Sequence, residues 1–67
     1  MEWEEWMDKN IFVQLKSGGH YTGKVIDVDK SSLPLIFLTI IDKFNDKVTF
    51  VTSEIIKIVE ENNGKRD

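Results

Sequence analysis

Hydrophobic and polar positions alternate most clearly from residue 11 to residue 29. Ile11, Val13 and Leu15 alternate with Phe12, Gln14 and Lys16, a period of two that predicts a half-buried strand. Ser17-Gly18-Gly19 interrupts it with two residues able to take the positive φ angles of a tight reversal. Tyr21, Thr22, Val25, Ile26 and Val28 then mark a second strand from His20 to Val28. The stretch therefore reads as a long β-hairpin, and the rest of the chain is organised around it.

The same patterning places the other elements. Trp3, Trp6 and Met7 have i, i+3, i+4 spacing, which predicts a short amphipathic helix over residues 2–9. So short a helix must dock on something to form. Its two tryptophans either cap their own barrel or offer a face to a partner protein. Asp29 to Pro34 reads as a polar loop closed by proline. In the next strand, Leu35 to Phe44, Leu35, Phe37 and Ile41 point one way and Ile36, Leu38 and Ile40 the other. Both sets are apolar, so both faces should be covered. Asn45-Asp46 supplies a turn, Val48 to Thr52 a fourth strand, and Ile55 to Val59 a fifth after a break at Ser53-Glu54. The expected fold is mainly β: a short N-terminal helix, then a small five-stranded, strongly bent antiparallel barrel. One domain spans residues 1–60, with the helix at 2–9 and the barrel at 10–59, and residues 61–67 form a flexible polar tail.

Length and composition add a second expectation. A chain of 67 residues without cysteine is near the lower limit for a self-sufficient core, with no disulfide to compensate. Oligomerisation is the remaining remedy. A small barrel has one interior, so a doubly apolar strand and apolar edge strands point to subunit contacts. The expected interface comprises Ile36, Leu38, Ile40, Val48, Phe50, Ile56 and Ile58. Glu2, Glu4 and Glu5 stand where a signal peptide would be basic. The largely apolar run from Leu33 to Ile41 is far shorter than the roughly 20 residues of a membrane span. A cytoplasmic protein with no membrane partner is expected. The net charge of −3 is uneven: residues 1–9 carry −3, residues 10–59 carry +1 and residues 60–67 carry −1. No basic stripe announces nucleic acid.

The candidate chemistry is sparse. Asp27 and Asp29 are two apart on one strand and share a face, as a carboxylate pair for acid–base work or a divalent cation would require. The plainer reading has Asp29 capping the following turn and Asp27 facing water. His20 is the sole histidine, with no cysteine or acid cluster beside it, and does not make a zinc site. Gly18-Gly19 precedes no helix and no Gly-Lys-Ser/Thr, so it is not a phosphate loop. No enzyme, cofactor or metal is expected.

At the level of motifs the chain resembles the Sm-like (LSm) family, as a divergent member. The first motif of that family joins an alternating strand ending in Leu-Lys, two glycines five residues apart, and an aspartate six residues beyond the second. Here these are Ile11 to Lys16, Gly18 and Gly23, and Asp29, with Val25 at an aliphatic position. The resemblance implies a homo-oligomeric ring of six or seven subunits, closed by pairing the fourth strand of one subunit with the fifth of the next. It also implies single-stranded RNA at the pore, contacted by Lys30, Ser31 and Ser32 and by Thr52 and Ser53. Departures weaken that second implication. The His and Asn that follow the aspartate in uridine-binding members fall on Ser31 and Leu33, and the Arg-Gly of the second motif falls on Val51-Thr52. Arginine stacks on bases and offers a planar set of donors, which valine does not. Two functions follow. One is an RNA-associated ring whose binding is weak and of an unconventional kind. The other is an oligomeric protein-interaction scaffold that does not bind RNA.

Overall fold

A computed structural model describes residues 2–61. The expected tail at 62–67 lies outside the described residues. Five antiparallel strands form one sheet: β1 (Asn10–Leu15), β2 (His20–Ser32), β3 (Leu35–Ile41), β4 (Lys47–Val51) and β5 (Ile55–Glu60), in the spatial order β4-β3-β2-β1-β5. The mainly β architecture, the strand count and the leading hairpin follow the sequence pattern. The closed barrel does not, because β4 and β5 lie at opposite ends and are not hydrogen-bonded to each other.

The sheet nevertheless curls over its own core. Ile11, Val13, Val25, Leu38 and Ile40 are fully buried, with Phe50 nearly so, in one cluster drawn from β1, β2, β3 and β4. The rings of Tyr21 and Phe50 lie 5.1 Å apart, although β3 runs between their strands. Neighbouring strands are about 4.8 Å apart, so a flat sheet would separate β2 from β4 by about twice that. The curl uses irregularities in the ladders. Register shifts occur between Val25 and Asp27, between Asp29 and Ser32, and between Gln14 and Leu15, and such bulges bend a strand and increase its twist.

Two of the hairpin's three glycines, Gly18 and Gly23, have physical reasons. Gly18 sits at φ 97° in the β1–β2 turn, where its N–H donates to the Leu15 carbonyl at 2.9 Å, a left-handed conformation costly for other residues. Gly23 is needed for proximity. A Cβ there would lie 2.5 Å from the Ile41 carbonyl oxygen and 3.0 Å from its carbon.

Several expected boundaries are corrected. The helix over 2–9 is instead a single 3₁₀ turn, Trp3–Trp6. It ends because Met7 is extended (φ −54°, ψ 135°) and Asp8 is left-handed (φ 67°). The chain is recruited to β2 there: Asp8 N–H donates to the Val25 carbonyl at 2.9 Å, and Val25 N–H donates to the Lys9 carbonyl at 3.0 Å. Strand pairing satisfies backbone groups that a lone short helix would leave open. Trp6 packs against the core cluster of its own sheet, and the Lys9 ammonium lies 5.9 Å from its ring.

The polar loop expected over 29–34 is also shorter. Strand β2 continues to Ser32, and the chain turns at Leu33-Pro34, a cis peptide. Asp29 still pairs with Phe37, and Ser32 with Leu35. Strand β3 stops at Ile41 rather than Phe44, because Asp42 organises the following loop. Its carboxylate accepts from the N–H groups of Phe44 (2.8 Å) and Asp46 (2.9 Å). Asn45 takes φ 67°, as asparagine tolerates.

Candidate assembly edges and nucleic-acid face

Sheet order gives the molecule two unpaired edges, and ladder hydrogen bonds show which backbone groups they present. In an antiparallel ladder, residues alternate between bonding one neighbour and facing the other side. Glu61 N–H donates to the Asn10 carbonyl at 2.8 Å. On β5, then, Lys57, Val59 and Glu61 face β1, while Ile58 and Glu60 turn their backbone groups outward. Asp42 N–H donates to the Asp46 carbonyl at 2.9 Å, which assigns Asp46, Val48 and Phe50 to β3. Lys47, Thr49 and Val51 turn theirs outward.

The β5 edge exposes apolar side chains, while β4 exposes Lys47 and Thr49. Ile56 is 58% exposed and Val59 is 40% exposed, with Ile58 and Val48 half-buried against the core. Of the residues expected at an interface, Val48, Ile56 and Ile58 thus lie on edge strands. Leu38, Ile40 and Phe50 do not offer a surface. The first two are fully buried and the third nearly so, inside their own sheet. Alternation showed that β3 has two apolar faces; it did not show which one is the core. The less covered face carries Leu35, exposed, with Phe37 and Ile41 half-buried. Ile36 is half-buried on the core-facing parity. Val59 joins the exposed edge residues: its pairing with Phe12 puts it on the outward face, which the alternation of β1 assigns to Phe12.

Lys30–Ser32 and Thr52–Ser53 lie at the same end of the sheet. Asp29 pairs with Phe37 and Phe37 with Val51, so Lys30–Ser32 and the 3₁₀ turn Thr52–Glu54 follow directly from one cross-strand row. Their polar groups are partly occupied. Lys30 Nζ lies 2.6 Å from Glu4 Oε2 and 3.8 Å from Glu2 Oε1. Its hydrogen bond to Glu4 holds that carboxyl below its ordinary value and raises the Lys30 ammonium above its own. Ser31 donates to Asp29 Oδ1 through its hydroxyl (2.7 Å) and its backbone N–H (2.8 Å). Those two bonds, the hydroxyl first, lower the Asp29 carboxyl. Asp29 therefore braces the irregularity in β2 between itself and Ser32. Ser32, Thr52 and Ser53 carry no side-chain hydrogen bond among the described residues. The contact between Lys30 and the N-terminal turn joins residues far apart in sequence and left no local signal.

A separate open groove of about 630 Å³ runs past Tyr21, Lys24, Ile41, Lys43 and Phe44. Phe44 is 73% exposed, with the Lys43 ammonium 5.5 Å from its ring. The groove mixes these lysines with Asp42 and Glu61 and so has no single sign of charge. His20 packs its ring 5.6 Å from that of Phe12. Among the described residues, no three His, Asp or Glu side chains gather as metal ligands, and no helix is long and apolar enough to cross a membrane. Comparison of the chain with family models, with curated proteins and with solved structures finds no match.

Proposed function

We propose that this chain is a self-assembling module of the Sm-like type, whose copies join head to tail by pairing the β4 edge of one with the β5 edge of the next. The observation that carries this reading is the pair of open edges at opposite ends of one curled sheet, with Ile56 and Val59 exposed on one of them. Unprotected apolar edges template uncontrolled pairing, and a closed ring removes every free edge at once. The resemblance of the 11–29 hairpin to the first Sm motif supports a ring of six or seven copies and a cytoplasmic setting.

A second reading concerns what the ring holds. The convergence of Lys30–Ser32 and Thr52–Ser53 at one end of the sheet favours single-stranded RNA there. The engagement of Lys30 by Glu4 and of Ser31 by Asp29 favours weak, salt-sensitive contact through few phosphates. A protein-interaction scaffold is the alternative. Native mass spectrometry, with and without a short oligouridine at low and moderate salt, tests both readings. Closed oligomers that take up RNA only at low salt are expected. A monomer at every accessible concentration refutes the assembly. Oligomers that ignore RNA at low salt refute the RNA role and leave the scaffold.

A further inference from the structure

The alternation of backbone groups along the two edges restricts how copies fit, and the side chains then select one alignment. On β4 the outward groups belong to Lys47, Thr49 and Val51, whose side chains lie on the face opposite the buried Phe50. On β5 they belong to Ile58 and Glu60, which pair with Val13 and Ile11 on the core side. Antiparallel pairing sets outward residues against outward residues with their side chains on a common face. The outer face of β4 must therefore continue into the core face of β5 in the next copy. A one-residue slip is forbidden, because it would put bonded groups against turned-away ones. Slips of two residues remain open.

We infer that β4 of one copy pairs with β5 of the next in the register that sets Lys47 opposite Glu60. This inference rests on the edge-pairing reading above. The register uses the whole of β4: Val48 meets Val59, Thr49 meets Ile58, Phe50 meets Lys57 and Val51 meets Ile56 of the next copy. It covers Ile56 and Val59, two of the exposed large apolar residues of the molecule. Slipping by two one way sets Lys47 against Ile58 and carries Val51 past the start of β5. Slipping the other way carries Lys47 past the end of β5 and leaves Ile56 bare. Only the chosen register puts an acid on the base. One step further along, Asp46 faces Glu61, and like charges directly opposite are unfavourable, so the ladder stops there. Lys47 is fully available, with no ion pair among the described residues, whereas Glu60 has only a loose contact with Lys9 at 4.0 Å.

Charge exchange on the full chain tests the register, read as the concentration at half assembly in sedimentation velocity at low salt. Lys47→Glu and Glu60→Lys each turn an attractive cross-strand pair into a repulsive one. Each should raise that concentration by about fivefold to tenfold, from the usual size of such pairs. The double variant should return close to the original value, and an equimolar mixture of the two single variants should co-assemble in alternation. Lys9→Gln should leave assembly unchanged, which separates the contact between copies from the one within a copy. Single variants that assemble like the original chain overturn the register, as does a double variant no better than the singles or a Lys9→Gln effect equal to that of Glu60→Lys. In those cases edge pairing itself stands. An original chain that never assembles overturns both.

Discussion

Gly23→Ala adds one methyl group at a position where the Ile41 carbonyl oxygen is 2.5 Å away and its carbon 3.0 Å away. An ordinary carbon–oxygen contact is about 3.3 Å or more, so the two strands must separate by roughly 0.8 Å. The third neighbour, Ile40 Cδ1 at 3.2 Å, can yield by rotation. The carbonyl cannot, because Ile41 is held in register by Lys24 and the adjacent Ile40 by Val25. Overpacking of this kind costs about 1–3 kcal/mol, and a strained ladder bond adds about 1 kcal/mol. A total near 3 kcal/mol is most of the stability available to so small a core. The midpoint of thermal unfolding should fall by about 12–24 °C. Urea titration followed by fluorescence of Trp3 and Trp6 reads the loss, at one fixed protein concentration because self-association would add to apparent stability. Two neighbours serve as references. Gly19→Ala meets nothing nearer than Tyr21 Cε2 at 3.4 Å and should shift stability by less than about 0.5 kcal/mol. Gly18→Ala enters open space but keeps φ at 97°, costing about 1–2 kcal/mol. A Gly23→Ala chain as stable as Gly19→Ala would refute the close approach of β3 on β2.

Other substitutions separate folding from assembly. Ile40→Lys puts a charge at a fully buried site and should cost more than about 4 kcal/mol, seen as loss of far-UV structure at any concentration; Ile56→Lys, at an exposed edge site, should keep the fold and abolish oligomers in sedimentation. Trp6→Ala removes a half-buried ring packed on the core and should cost about 2 kcal/mol in urea titration, less than a fully buried aromatic. The Glu4 carboxyl is lowered in the folded chain by Lys30, so its contribution is present above the unfolded value and lost as pH falls through the lower folded one. Glu4→Gln should therefore lower stability slightly at neutral pH and leave it unchanged at acid pH, which flattens the acid limb of a stability–pH curve.

How far the sequence carries depends on the range of the interactions involved. The hairpin from Ile11 to Asp29 is legible because alternation, turn glycines and strand formers act within a few residues of one another. The N-terminal turn is not. Its spacing suits a helix, but Val25, remote in sequence, takes the backbone groups of Asp8 and Lys9 and ends the helix after one turn. Ser31 and Ser32 have loop composition, yet the bulged ladder between Asp29 and Ser32 absorbs them into β2. The pattern of β3 fixes its parity without fixing its sign, so alternation alone also allows Leu38 and Ile40 at a surface, although they form the core. Lys30 shows the same limit at the candidate RNA face. Its chemistry is visible in the sequence, while its engagement by Glu4 depends on a chain reversal that no local pattern records.

The odd number of strands bears on why the module should close with copies of itself. In an antiparallel sheet of five strands, the first and last run in the same direction. A copy added edge to edge with the same face upward would meet β4 through a parallel pairing, which is slightly less stable per residue. Antiparallel pairing requires the incoming β5 to present its opposite face. The outer side of β4, with Thr49 and Val51, then becomes a wall over the core face of the neighbouring sheet, beside Ile58. In this arrangement the neighbour's β4 would cover Ile58, which is half-buried against the core in the single chain. Each junction of this kind turns the next sheet over relative to the last. In such an assembly the covering edge would add a shared layer to the six buried core residues of the single chain.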